Sequence, residues 1–324
     1  MPQAIMLREH GGPEVLRPEE IAVGDPGPGE IRLRQTAIGV NFHDCYVRSG
    51  LYRTLPLPGI PGTEGAGVVE AVGPDVTGLA PGDRVAYMTN GYGCYASHRL
   101  LPAALALKLP DAIPEVLAAS TLLKGLTAEM LVRQVHRVAP GETILVQAAA
   151  GGVGRLLCQW AAHLGATVIG TAGGPEKCAI ARAHGCAHAI DYRAEDFVAR
   201  VKAITGGRGV AVAFDSVGAD TFDGSLECLS VRGHLVNFGQ SSGPVPPFAI
   251  ARLMQKSNSL TRPAVFHYAA GRPALEAMAG ALFEVLGSGA VRAEPGLGIP
   301  LAEAARAHAL LESRAASAPP VLVP

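Results

Sequence analysis

From Thr143 onward the chain keeps a rhythm: short apolar runs alternate with longer stretches whose apolar residues recur every three or four positions. The runs TILVQA, TVIGTA, HAIDY, VAVAFDS and GHLVNFG predict strands. Between them VGRLLCQWAAHLG, a segment from Pro175, FVARVKAIT and TFDGSLECLS predict helices. Strands and helices in strict alternation predict a parallel sheet wound with helices on both faces. This is a doubly wound α/β fold, and it extends to about Arg262.

Residues 1 to about 120 have another texture. EIRLRQTAIGV, GAGVVEAVG and GDRVAYM are short and punctuated by Gly and Pro, which predicts a curled, β-rich domain. Near residue 115, PEVLAASTLLKGLTAEMLVRQV takes up helical spacing. Past Arg262, ALEAMAGALFEVLGSG and LAEAARAHALLESRAA predict helices, and VLVP predicts a last short strand.

Directly after the first strand of the α/β series, AAAGGVG gives up its side chains. Ala149, Gly151 and Gly154 hold the three positions of a G-x-G-x-x-G pattern, with alanine first, and a helix opens there. Gly151 and Gly152, followed by Val153, let the backbone approach a pyrophosphate. The unpaired N–H groups of the helix start favour its charge. A plain tight turn is the alternative, but the pattern's place between the first strand and its helix makes a dinucleotide the expectation here. The tip of the next strand, TVIGTAGGPEK, has small residues where an NAD site offers Asp or Glu to the ribose hydroxyls. Glu176 falls inside the following helix start, and Lys177 is either a cation for a 2′-phosphate or a solvated helix lysine. Loss of the anion and gain of a cation favour NADP.

Charge and cysteine usage narrow the class. A formal net charge of -1 argues against a general nucleic-acid binder. The six cysteines contain no C-x-x-C pair, so neither a zinc ribbon nor a disulfide framework is expected, and a reducing cytoplasm suits them. MPQAIMLREHGGPE lacks the pattern of a signal peptide, and no apolar stretch approaches the roughly 20 residues of a membrane span. His184 and His188 straddle Gly185 and do not form a helical metal pair. A soluble intracellular protein is expected.

HGGPEVL (10 to 16), IGVNFHDCYVRSGLY (38 to 52), PGTEGAGVVEAVG (61 to 73), AAAGGVG (148 to 154), DSVG (215 to 218), FGQSSG (238 to 243), TRP (261 to 263) and LESRA (311 to 315) together carry a family likeness. The chain resembles the zinc-independent quinone oxidoreductases of the medium-chain dehydrogenase/reductase superfamily, the group that includes zeta-crystallin. The resemblance implies a GroES-like catalytic domain drawn from residues 1–123 and 263–324 around a Rossmann domain at 124–262. It implies NADPH as reductant and a quinone as acceptor, in a homodimer or homotetramer. Where the superfamily's zinc enzymes carry Cys and His ligands, this chain has Asn41 and Thr63, so no metal is expected.

Site residues carry over one at a time. The resemblance puts Asn41 and Asp44 near the nicotinamide ribose and ring, and Tyr46 and Tyr52 beside the active cleft. Gly173, Gly174, Lys177 and Tyr192 match the pocket for the adenosine 2′-phosphate. Ser216 and Val217, with Phe238, Gly239 and Ser241, match loops at the carboxyl ends of later strands. Arg314 resembles an arginine that reaches the cofactor phosphate, and Cys45 is a candidate for reaction with quinones. The alternatives on the same scaffold are an enoyl or other α,β-unsaturated carbonyl reductase and, in another class, an RNA-binding or structural protein.

Overall fold

Strands Thr143–Val146, Thr167–Ala172, His188–Asp191, Val210–Asp215, Leu229–Asn237 and Ser259–Thr261 join in one six-stranded sheet in the computed structural model, which describes residues 1–313 and 318–324. Every pairing in it is parallel. From Thr143–Val146 the order runs outward through Thr167–Ala172 to His188–Asp191. On the other side it runs through Val210–Asp215 and Leu229–Asn237 to Ser259–Thr261. The winding therefore reverses between Thr143–Val146 and Val210–Asp215, the switch point where ligands bind in such sheets. Ile144, Leu145, Val146, Val212, Ala213 and Phe214 are fully buried, which is why these strands read as unbroken apolar runs. The sixth strand escapes the sequence pattern. It is three residues long, Ser-Leu-Thr, and lies mostly exposed at the sheet edge, so no apolar run marks it.

The second sheet is built from Leu297–Pro300, Pro320–Val323, Glu30–Gly39, Glu64–Val72, Arg84–Met88 and Leu107–Lys108 in that order, with His98–Pro102 also on Glu30–Gly39. Val321 pairs antiparallel with Gly39, so the two ends of the chain meet in one sheet. Its core gathers Ile5, Ile31, Leu33, Ile38, Val85, Tyr87, Leu101 and Leu322, all at most 0% exposed.

Two compact units result. One holds Met1–Leu123, Ala269–Ala279 and Ala293–Pro324, the other Lys124–Tyr268 and Gly280–Arg292. The expected block 263–324 is thus divided between the units and does not fall whole into the catalytic domain. The reason lies in the helix Arg272–Gly287, whose Leu282 packs so closely on Gly125 that a Cβ there would stand 2.6 Å from it. The helix expected from residue 115 spans Glu115–Glu129 and continues as a π-helix over Met130–Val135.

Candidate active site

The glycine turn is shaped by backbone contacts. Ala148 takes a positive φ of 53°, and the Gly151 N–H donates back to its carbonyl at 2.8 Å. The helix Gly152–His163 begins immediately. A Cβ on Gly154 would stand 2.3 Å from the Ala148 carbonyl oxygen, so the third glycine lets the helix close against the turn. A Cβ on Gly151 would meet only that oxygen, at 3.1 Å, and one on Gly152 only the Lys124 side chain, at 3.1 Å. Gly151, Gly152 and Val153 therefore present bare backbone and a helix start, a cradle suited to a pyrophosphate.

The next strand ends at Gly173 and Gly174. Asp191 clamps this tip, its Oδ1 accepting the N–H groups of Gly174 at 2.8 Å and Arg193 at 3.0 Å. These bonds hold its carboxyl below the usual range, with the Gly174 bond contributing most. The Tyr192 hydroxyl lies where a Gly173 Cβ would be, 2.6 Å away, and the Arg193 Nε is 3.1 Å from the same point. Lys177 sits in the first turn of Pro175–Ala183. Tyr192, Arg193 and the Lys177 turn thus share one tip. Arg193 is the residue the sequence reading passed over, though it directly follows Tyr192.

At the switch point a buried chain of hydrogen bonds crosses three strands. Thr171 Oγ1 donates to Gln147 Oε1, Gln147 Nε2 to Ser225 Oγ at 3.0 Å, and Ser225 Oγ to Asp215 Oδ2 at 3.0 Å. Asp215 also accepts from Val217 N, Gly218 N and Thr221 Oγ1. Its carboxylate folds the Ser216–Gly218 loop over itself. Phe238 N donates to Asp215 O, Ser241 N to Ser216 O, and a Cβ on Gly239 would stand 2.5 Å from Ser216 O. Ser216, Val217, Phe238, Gly239 and Ser241 therefore meet in one pair of loops at the carboxyl end of the sheet.

In the other unit, Asn41 caps the helix Phe42–Ser49 and Asp44 lies one turn inside it. The Asp44 carboxylate accepts from the Asn41 N–H at 2.9 Å, Thr63 Oγ1 at 3.1 Å and Tyr95 OH at 3.2 Å. Asp44 is 0% exposed, its carboxylate turned toward these three donors. Asn41 Nδ2 donates to Glu64 Oε1 at 2.8 Å, and Glu64 Oε2 accepts the Leu123 N–H. Behind them His308 Nε2 meets Tyr95 OH at 2.8 Å, while Arg48 pairs with Glu312 at 2.7 Å. Cys45 is buried beside His308, and burial pushes its thiol far up, which removes it as a nucleophile.

Rings from this helix and from Tyr52 and Tyr92 beyond it form an aromatic cluster. Tyr46 and Tyr52 meet edge-on at 5.2 Å, His43 meets Tyr52 at 5.5 Å and stacks on Tyr92 at 5.9 Å. Burial holds the His43 imidazole down at about 4, so it is neutral at physiological pH. His43 and Tyr92 were not anticipated, because neither lies in a motif that marks chemistry. Arg314 falls outside the described residues.

Two family models match the chain: the alcohol dehydrogenase GroES-like domain over residues 27–111, and a domain described as zinc-binding dehydrogenase over 152–280. A quinone oxidoreductase of Pseudomonas aeruginosa is 46% identical over the full length of both chains. This chain belongs to the quinone oxidoreductase family. The solved Escherichia coli quinone oxidoreductase complexed with NADPH superposes with a TM-score of 0.96 at 44% identity, over 99% of this chain and all of that one. A 2-haloacrylate reductase of a Burkholderia species is 42% identical over all of this chain and 99% of its own. Membership explains the two sheets and the chain ends meeting in one of them. The Asn41 and Thr63 side chains are committed to the carboxylates of Glu64 and Asp44. Among the described residues no group of three or more His, Cys, Asp or Glu gathers as a metal site.

The buried carboxylate makes a pH test. Burial, the largest influence, lifts Asp44 to about 7 against the pull of its Asn41, Thr63 and Tyr95 hydrogen bonds. A carboxyl raised on folding contributes stability below its unfolded value near 4, and that contribution is lost as pH rises to about 7. Asp44→Asn has no such slope. Its unfolding free energy relative to the parent, from denaturant titrations, should therefore improve between pH 5 and 7, by about 1.4 kcal/mol per pH unit at most, then level off. A difference that stays flat with pH would mean Asp44 is ionised in the fold throughout.

Proposed function

We propose that this chain is an NADPH-dependent quinone reductase. The full-length match to quinone oxidoreductases carries the reading. When bound, NADPH supplies the reducing equivalents. Gly151, Gly152 and the helix start behind them hold its pyrophosphate, and Lys177, Tyr192 and Arg193 hold its 2′-phosphate. The Ser216–Val217 and Phe238–Ser241 loops, braced by Asp215, shape the carboxyl end of the sheet. His43, Tyr46, Tyr52 and Tyr92 offer flat apolar faces for a planar acceptor. The Tyr46 and Tyr52 hydroxyls hydrogen-bond the phenolate oxygen as charge develops there. A quinone accepts electrons without a Lewis acid, which suits a site whose Asn41 and Thr63 brace carboxylates.

The 2-haloacrylate reductase relative favours a second reading, reduction of an activated carbon–carbon double bond on the same framework. Steady-state kinetics on protein dialysed against a chelator, with a 1,4-benzoquinone beside an enone, decides between them. The quinone should give the higher kcat/KM and the rate should survive dialysis. Faster enone turnover selects the second reading, and loss of activity restored by zinc overturns the metal-independent one.

The sheet edge supports assembly of two copies. Ser259–Thr261 ends the six-stranded sheet, and Val231, Ile250 and Met254 nearby are more than two-thirds exposed. Apolar residues beside an open strand support pairing of two copies, as a homodimer or as half of a homotetramer. Light scattering should give a multiple of 33.3 kDa that falls to a single chain in Met254→Glu. A parent that is monomeric at all concentrations excludes this. Among the described residues no helix is long and apolar enough to cross a membrane. The free cysteines fit a reducing cytoplasm, and near-neutral charge weighs against RNA as the main partner.

A further inference from the structure

Arg99 is a cation without an anion. Its guanidinium donates only to neutral groups: Nη1 to Tyr92 O at 2.9 Å, to Tyr87 OH at 3.3 Å and to Cys94 Sγ at 3.3 Å, and Nε to Leu100 O at 3.1 Å. Its carbon centre lies 5.2 Å from the Tyr87 ring. Among the described residues no carboxylate pairs with it and Nη2 has no acceptor. Glu70 on the same sheet is occupied by Arg32, Arg34 and His98. Nη2 is not sealed in, because every fully buried side-chain nitrogen or oxygen has a partner. It opens beside Gly93, where a Cβ would stand 3.4 Å from it.

Arg99 lines a groove of about 250 Å³ whose walls are mostly apolar, among them Ile21, Val23, Gly24, Ile60 and Ala96, with His98 the other polar side chain. The volume is below the ~300–1,000 Å³ of pockets for drug-sized ligands, so an occupant is small. Apolar walls with one unpaired guanidinium call for an apolar body carrying one planar anion. A carboxylate meets the fork of Arg99 and leaves its tail or ring on the wall. We propose that this groove is a binding site for small monocarboxylates such as aromatic or short-chain acids. Arg99 also holds the Tyr92 carbonyl, and the Tyr92 ring stacks on His43. An occupant therefore sits one residue away from the aromatic face of the candidate active site.

The test is nuclear magnetic resonance titration of the NADPH-loaded protein with benzoate and, separately, benzyl alcohol, which has the ring without the charge. Benzoate should shift the amides of Gly24, Gly93 and Ala96 saturably and bind about tenfold more tightly than the alcohol. Gly24→Leu plugs the groove from a position where a Cβ meets nothing within 4 Å. It should abolish those shifts while leaving quinone turnover unchanged. Arg99→Met should bring acid and alcohol to equal affinity, and if it fails to fold, Gly24→Leu still decides. Absence of saturable shifts at these amides, equal affinity of the parent for acid and alcohol, or undiminished shifts in Gly24→Leu each overturn the proposal.

Discussion

Gly152→Val abolishes dinucleotide binding and leaves the fold standing. Gly152 is the first residue of its helix, and the atoms its new Cβ would meet are the Lys124 Cδ and Cε, at 3.1 and 3.3 Å. A lysine stem moves aside at little cost, so the melting temperature should fall by only a few degrees. The branched side chain then stands over the bare backbone that the pyrophosphate needs, and the dissociation constant for NADPH should rise by more than about 100-fold, some 2.7 kcal/mol or above. Gly154→Val is the contrast, since its Cβ would meet the Ala148 carbonyl oxygen at 2.3 Å, and backbone cannot yield. That variant should lose the fold itself. Fluorescence titration with NADPH and a thermal melt of both variants separate the two roles. Unchanged affinity in Gly152→Val would show that the turn binds nothing.

Lys177→Ala weakens NADPH by about 10- to 150-fold, the worth of one charge-assisted hydrogen bond of roughly 1.5 to 3 kcal/mol. NADH, lacking the phosphate, should scarcely change, so the preference between cofactors shrinks by the same factor. Arg193 supplies a second cation at the same strand tip, which draws the single variant toward the low end, as does screening by salt. Lys177→Ala combined with Arg193→Ala should exceed either alone, and Tyr192→Phe should act in the same direction by about 1 kcal/mol. Titrations with both cofactors at low and moderate salt settle it. Equal losses for NADPH and NADH would assign Lys177 to the fold or to the shared phosphates.

Five of the six parallel strands were legible from their alternation with helices, most clearly Thr143–Val146, Thr167–Ala172 and Val210–Asp215, whose apolar runs are almost wholly buried. Ser259–Thr261 was not, since an edge strand of three residues has no such run to show. The glycine turn was readable because it strips side chains at a fixed place after a strand. The residues that brace the site were harder. Asp215, Glu64 and His308 act through contacts across 10, 59 and 213 positions of sequence, to Ser225, Leu123 and Tyr95. No local pattern records such pairings. Asp44 was legible as a site candidate, but its burial beneath Asn41, Thr63 and Tyr95 was not. Sequence spacing names the turn a residue occupies, and only packing shows whether its carboxylate faces a ligand or a core.

A quinone is an electrophile as well as an oxidant, and thiolates add to its ring. An enzyme that handles such molecules at every turnover risks being alkylated by them. All six cysteines of this chain are buried, and burial is the leading cause that raises the thiols of Cys45, Cys94, Cys178 and Cys228. For Cys158 the leading cause is its hydrogen bond with Cys186. Burial denies all six access to a passing quinone. The hydrophobic core thus doubles as chemical armour, letting the protein outlast a substrate that would inactivate a chain with the same cysteines on its surface.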